Sequence, residues 1–213
     1  MEKIIEQIGA MGVVPVVAIE NASDAGRLGE ALIEGGLPCA EITFRTAAAA
    51  SAIRIICETH PGMLVGAGTV LTKAHAEVAV DAGASFVVTP GFDGDLVDWC
   101  LDQSIPVIPG VMTPTDINAA INRKLNVLKF FPAEAAGGIK TLKAISGPYG
   151  NIKFVPTGGI TLNNLEDYLS FPTVLACGGS WLVKKALISS GEFDTIKSLV
   201  REVVQLVDRI RDK

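Results

Sequence analysis

The sequence predicts an α/β protein, a (β/α)8 TIM barrel with an extra N-terminal helix. Three observations lead there. Short β-branched and aliphatic runs alternate with segments of helical period along all 213 residues, the pattern of βα units around a parallel sheet. The alternation repeats eight times at nearly even spacing. No Gly/Ser linker or charge run interrupts it, so residues 1–213 are expected to form a single domain. Eight βα units in this length match the small end of the barrel fold.

Taken in order, the amphipathic segment MEKIIEQIGAMG supplies the extra helix, and strands are expected near 13–19, 39–44, 64–69, 85–90, 106–111, 127–132, 153–158 and 174–179. Helices are expected near 23–35, 47–60, 72–82, 93–103, 114–124, 137–145, 162–170 and 192–211. Several begin after a Ser, Thr or Asp suited to the N-cap. The rival architecture, an open doubly wound sheet, carries G-x-G-x-x-G after its first strand. Here VVPVVAIE runs into NASDAG, while GAGTVL at 66–71 follows the third strand and lacks the last glycine. The barrel is the better match.

Composition excludes several classes. Hydrophobic residues make up 49% of the chain, yet the longest uncharged stretch, Tyr168 to Val183, is broken by Pro172, Gly178 and Gly179. It falls short of the ~20 apolar residues of a spanning helix, so no membrane partner is expected. The N-terminus lacks the basic and apolar regions of a secretory signal. A net charge of −5 with scattered Lys and Arg argues against nucleic acid. Cys39, Cys57, Cys100 and Cys177 form no CxxC pair and read as small buried hydrophobes of a reduced, cytoplasmic protein.

Catalytic groups of a barrel sit at the C-terminal ends of its strands. Polar residues there are few: Glu41, Thr43 and Arg45 in AEITFR, Thr69 in GAGTV, Thr89 with Pro90 in VVTPG, Lys129 in VLKFF, Thr157 in PTGG and Ser180 in CGGSW. Strand side chains alternate faces, so Glu41, Thr43 and Arg45 share one face and Val127, Lys129 and Phe131 another. Pointed inward, the carboxylate, guanidinium and amine would converge on one pocket and partner each other. The alternative for Lys129 is a structural lysine paired with Glu41, and for Glu41 and Arg45 a mutual ion pair. Glu134, just beyond the lysine strand, reads as an entry-loop or capping residue.

Chemistry narrows by elimination. His60 and His75 both lie away from strand C-termini, so neither a metal site nor a Ser-His-Asp or Cys-His arrangement is expected. An amine nucleophile remains. Apolar surroundings, with Arg45 nearby, disfavour an ammonium group and leave a reactive amine at Lys129. Glycine pairs in PTGGITLNN and CGGSW follow the seventh and eighth strands, where barrels often hold a phosphate through backbone N–H groups. Gly158, Gly159 and the Ser180 hydroxyl are the candidate donors, which implies a phosphorylated substrate.

The ordered segments EITFRT, GAGTVL, VTPG, KFFPAE, PTGGI and GGSWL resemble the motifs of the bacterial 2-keto-3-deoxy-6-phosphogluconate (KDPG) aldolases, many of which also cleave 4-hydroxy-2-oxoglutarate (KHG). The departures, Phe44 and Phe92 where leucine is common, touch packing only. The resemblance implies a homotrimeric class I aldolase of the Entner–Doudoroff route, without metal or cofactor. It implies Lys129 as the Schiff-base lysine and Glu41 as the acid/base group. By the same likeness Arg45 and Thr69 hold the keto-acid carboxylate, Pro90 and Phe131 line the pocket, and Gly158, Gly159 and Ser180 bind phosphate. The galactonate epimer is an alternative substrate. Two rival functions use the same residues: a phosphosugar isomerase or epimerase with Glu41 as base, and a non-catalytic sugar-phosphate sensor.

Overall fold

The computed structural model describes residues 2–211. Helix α1 (Glu2–Met11) leads into strand β1 (Val13–Val17), and the expected extra N-terminal helix is present. The other strands are β2 (Cys39–Thr43), β3 (Leu64–Gly68), β4 (Phe86–Val88), β5 (Val107–Ile108), β6 (Gly110–Val111), β7 (Val127–Phe130), β8 (Lys153–Phe154) and β9 (Cys177–Gly179). Among the described residues they form two parallel sheets, ordered β5-β4-β3-β2-β1-β9 and β6-β7-β8. The α/β class with a parallel sheet is therefore observed.

The helices between them are α2 (Ala25–Gly35), α3 (Ala49–Thr59), α4 (Lys73–Asp81), α5 (Gly94–Asp102), α6 (Pro114–Ile121), α7 (Gly138–Ser146) and α8 (Leu165–Leu169). After β9 come α9 (Lys185–Ser189) and α10 (Phe193–Arg211). Local chemistry sets the starts. Thr72, Asp93 and Thr113 each accept a backbone N–H at a helix N-terminus, and Thr113 with Asp116 completes a capping box ahead of Pro114.

Differences from the expected strands have backbone causes. The segment expected as one strand at 106–111 is divided into β5 and β6 by Pro109, which has no N–H to give the ladder. Its carbonyl still accepts from Lys129 N at 2.9 Å. The strand expected at 153–158 shortens to Lys153–Phe154, with Pro156 close behind. Its continuation survives as bridges from Phe154 to Val174 and from Thr157 to Gly178. Helix α9 and the 3-10 turns at Ala22–Asp24 and Trp181–Val183 add to the expected elements.

Parallel strands covered on both faces read as near-continuous apolar runs, and all five residues of β1, β2 and β3 are buried, Glu41 and Thr43 of β2 being the polar exceptions. Space is allotted by glycine: a Cβ on Gly66 would lie 2.3 Å from the Phe86 ring. Helix α10 turns Ile196, Val200, Val203 and Val207 inward. Burying each such side chain stabilises the fold by roughly 1.5–3 kcal/mol. Its Val200 meets α2 so closely that a Cβ on Gly35 would approach it to 2.5 Å. From α1, Ile8 is fully buried and reaches the wall of the cavity that holds Glu41 and Lys129. Among the described residues, no helix is long and apolar enough to cross a membrane.

Candidate active site

Strand β7 carries Lys129 into the interior because all four of its residues are enclosed between β6 and β8. The lysine side chain is 4% exposed and that of Glu41, on β2, is 5% exposed. Lys129 Nζ donates to Glu41 Oε1 at 3.3 Å. Val14, Phe86, Val88, Ile108 and Val155 surround them in a cavity of about 10 Å³, which has room for about one water. The ammonium position also stands 5.2 Å from the centre of the Phe131 ring, a cation–π distance. A lone charge would be costly here, and the carboxylate is what makes the amine tolerable.

Glycine again sets the geometry. A Cβ at Gly68 would sit 2.1 Å from Glu41 Oε1, so the neighbouring strand must be bare for the carboxylate to reach the lysine. An amine, one carboxylate and space for a water, enclosed by hydrocarbon, can perform carbonyl addition and short-range proton transfer.

Arg45 stands two residues beyond the end of β2, where the pleat no longer dictates side-chain direction, and it does not line the small cavity that Lys129 and Glu41 share. Thr43 and Arg45 instead line a second pocket of about 230 Å³ with Ser180, Val183, Lys184 and Lys185. Arg45 Nε donates to Thr69 Oγ1 at 3.2 Å, bringing those two predicted residues together. Thr69 has φ +53°, an uncommon conformation for a β-branched residue and a form of strain that clusters at functional sites. The Thr43 hydroxyl is committed to Val17 O at 2.7 Å. Thr89 is structural too, donating to Gly91 O and accepting from Gly110 N, while Pro90 packs its carbonyl against Gly110.

The two glycine turns are neighbours because Thr157 pairs with Gly178. Gly158 and Gly159 have φ of +100° and +81°, values that glycine adopts without steric cost. Ser180 is exposed at the Arg45 pocket. Glu134 supports the first turn. Its N–H donates to Gly158 O at 3.0 Å, and its side chain packs where a Cβ of Gly159 would fall, 2.5 Å from Glu134 Cβ. Its carboxylate accepts from Tyr168 Oη at 2.5 Å. Burial, then this bond to a carboxylate, pushes the Tyr168 phenol above its ordinary range.

The remaining candidates have structural settings. His60 Nε2 meets Gly26 O at 2.8 Å and His75 packs on Phe44. Cys39, Cys100 and Cys177 are buried, and burial holds their thiols protonated, that of Cys100 being pushed up to about 11. Among the described residues no cluster of His, Cys, Asp and Glu is suited to a metal ion. Lys184 and Lys185 were not singled out from the sequence. Their signal was there, a lysine pair closing the long uncharged stretch after GGSWLV.

Residues 4–199 match the family model of the KDPG and KHG aldolases. The chain belongs to that family. Among its relatives, the 2-dehydro-3-deoxy-phosphogluconate aldolase of Haemophilus influenzae is 47% identical over 97% of each chain. The KDPG aldolase of Legionella pneumophila, solved with pyruvate captured at low pH as a covalent carbinolamine intermediate, is 40% identical with a TM-score of 0.91. That alignment covers 94% of this chain and 97% of the other. The aldolase of Zymomonas mobilis, solved with 3-phosphoglycerate, is 38% identical, with a TM-score of 0.88 and 95% of each chain covered. The family resemblance carried by KFFPAE and GGSWL is thus borne out. In this member of the KDPG and KHG aldolases, the interior offers one buried amine–carboxylate pair among the described residues, and the outer pocket offers the cations.

Proposed function

We propose that the chain is a metal-independent class I aldolase. It cleaves KDPG to pyruvate and glyceraldehyde 3-phosphate, and KHG to pyruvate and glyoxylate. The observation that carries this reading is the buried amine of Lys129, 3.3 Å from Glu41, in a chain of this family. Lys129 adds to the C2 carbonyl to form a carbinolamine, and loss of water gives an iminium ion. Glu41, through one water, removes the proton of the C4 hydroxyl. The C3–C4 bond then breaks, its electron pair passes into the iminium, and the aldehyde leaves. The resulting enamine is protonated at C3 by the same carboxylate or water, and hydrolysis of the new iminium releases pyruvate and the amine. The iminium is the electron sink, so the scheme calls for no Lewis acid.

Around that centre, Arg45 and Thr69 hold the keto-acid carboxylate, a role supported by their mutual hydrogen bond. Phe131 and Pro90 form the wall. Gly158, Gly159 and Ser180 bind the phosphate, supported by the left-handed glycines on adjacent strand ends. For the scaffold, β5 and β6 count as one strand interrupted at Pro109, which makes eight. The bridges from β8 to Val174 and from Thr157 to Gly178 then support closure as a (β/α)8 barrel and residues 1–213 as one domain. The homotrimer is proposed from the family likeness. Leu71, Val78 and Met112, which are 54%, 49% and 48% exposed, supply apolar surface for subunit contact. Four free thiols suit a cytoplasmic setting.

Borohydride added with pyruvate tests the central step. The expected product is a reduced adduct on the peptide containing Lys129, together with coupled pyruvate release from KDPG that persists in EDTA. Labelling of any other lysine refutes the scheme.

A further inference from the structure

The pocket of about 230 Å³ beside the strand ends concentrates positive charge in a chain that is acidic as a whole, with a net charge of −5. Its lining includes Arg45, Lys184 and Lys185 and no carboxylate. The three cations differ in what neutralises them. Lys185 is paired with Glu20 at 2.5 Å. Arg45 donates to a neutral threonine and has no acidic partner among the described residues. Lys184 likewise has none, and it is exposed at the end of the Trp181–Val183 turn that follows Ser180. The backbone at Lys184, with φ −55° and ψ 134°, is extended between that turn and α9, so its side chain is presented from a one-residue link rather than from a helix face.

We infer that Lys184 is a specificity-determining residue that, with Ser180, binds the distal phosphate of the substrate and favours it over a distal carboxylate. This rests on the aldolase reading above and extends it to a residue outside the shared motifs. A phosphate monoester carries about −1.5 to −2 charges near pH 7, whereas the far end of KHG is a carboxylate carrying a single charge. Arg45 is engaged with Thr69 toward the carboxylate common to both substrates. The second unneutralised cation is therefore free to recognise what differs. A lysine suits that task, since its ammonium acts on phosphate as a point charge and has no bidentate geometry to satisfy.

The experiment compares wild type with Lys184→Met on KDPG and KHG, with Lys3→Met on α1 as a control for loss of one charge. In Lys184→Met, KM for KDPG rises about tenfold while KM for KHG changes less than twofold, and the gap narrows as ionic strength increases. Equal changes for both substrates, or no change for either, overturn the inference. Calorimetric titration with inorganic phosphate, and with acetate as the comparison anion, reads the same site without turnover. Phosphate binding weakens at least fivefold in Lys184→Met and acetate binding does not. Unaltered phosphate binding refutes the role of Lys184 whatever the activity. Intact, Lys184-dependent phosphate binding without pyruvate release from either substrate overturns the aldolase reading instead.

Discussion

At the Lys129–Glu41 pair, both side chains are no more than 5% exposed and meet across 3.3 Å inside an aliphatic wall. Around the outer pocket, Arg45 and Lys184 are exposed and have no acidic partner among the described residues. The two regions solve different electrostatic problems. Two unit charges about 4 Å apart attract by about 4 kcal/mol at an effective dielectric of about 20, but by about 1 kcal/mol in water. In the interior one carboxylate is enough to hold and serve an amine, and any further charge would be a burden. At the rim each contact is weak, so recognition of an anion needs more than one cation and needs them unneutralised. On the proposed reading, chemistry belongs to the enclosed pair and substrate selection to the exposed pocket.

The sharpest way to break this contrast is to remove the buried amine. Lys129→Met lowers kcat/KM for KDPG by about 10⁴-fold or more, and borohydride trapping disappears. It also leaves a buried carboxylate alone, which costs about 3–5 kcal/mol of stability. If the pair is coupled as described, the double variant Lys129→Met, Glu41→Gln recovers most of that loss in urea unfolding. Additive losses would mean that the two groups do not depend on each other. Glu41→Gln alone retains adduct formation with pyruvate while turnover falls by about 10²–10⁴-fold.

Geometry can be altered without substituting either Lys129 or Glu41. In Gly68→Ala the new methyl group would fall 2.1 Å from Glu41 Oε1, so the carboxylate must move away from Lys129. Displacement of about 1 Å can cost about 10²-fold in rate, and kcat is expected to fall by that order with KM little changed. An unchanged kcat in single-turnover measurements would remove Glu41 from proton transfer.

The rim gives smaller effects of a different kind. Arg45→Met raises KM about tenfold for KDPG and KHG alike, because both carry the same keto-acid carboxylate. Steady-state kinetics on the two substrates checks this, and a loss confined to KDPG would transfer Arg45 to the phosphate end.

The smallest effect concerns the support of the glycine turn. The Tyr168 phenol is raised by burial and by its bond to Glu134, so the folded state favours its protonated form. The stability this contributes is complete below the unfolded value of about 10 and is lost as pH rises beyond it. Tyr168→Phe costs about 1 kcal/mol at pH 8. It also makes the alkaline decline in urea stability shallower by up to about 1.4 kcal/mol per pH unit. An identical slope in both proteins would show that the phenol does not titrate with unfolding.

The class of fold was legible because eight apolar runs each needed covering on both faces, and only a parallel sheet flanked by helices gives that. Lys129 and Glu41 stood out for the same reason, since a charge inside such a run needs a partner or a task. Strand ends were less legible. Pro109 splits a strand whose residues otherwise keep the β pattern, and a proline's missing donor matters only once a neighbouring ladder is in place. Arg45 could be assigned to a face only by extending the pleat past Thr43, where the strand has already ended.

What the sequence determined by itself is the local part: helix starts at Thr72, Asp93 and Thr113, the left-handed glycines, and which strands carry an amine and a carboxylate. Only the tertiary structure decided that Glu41 and Lys129, 88 residues apart, share one cavity, and that Arg45 joins Ser180 and Lys184 in another. The reason is physical. Capping and backbone conformation are settled within a few residues, whereas the environment of a charge depends on which distant strand lies beside it and on how far its side chain stands from water.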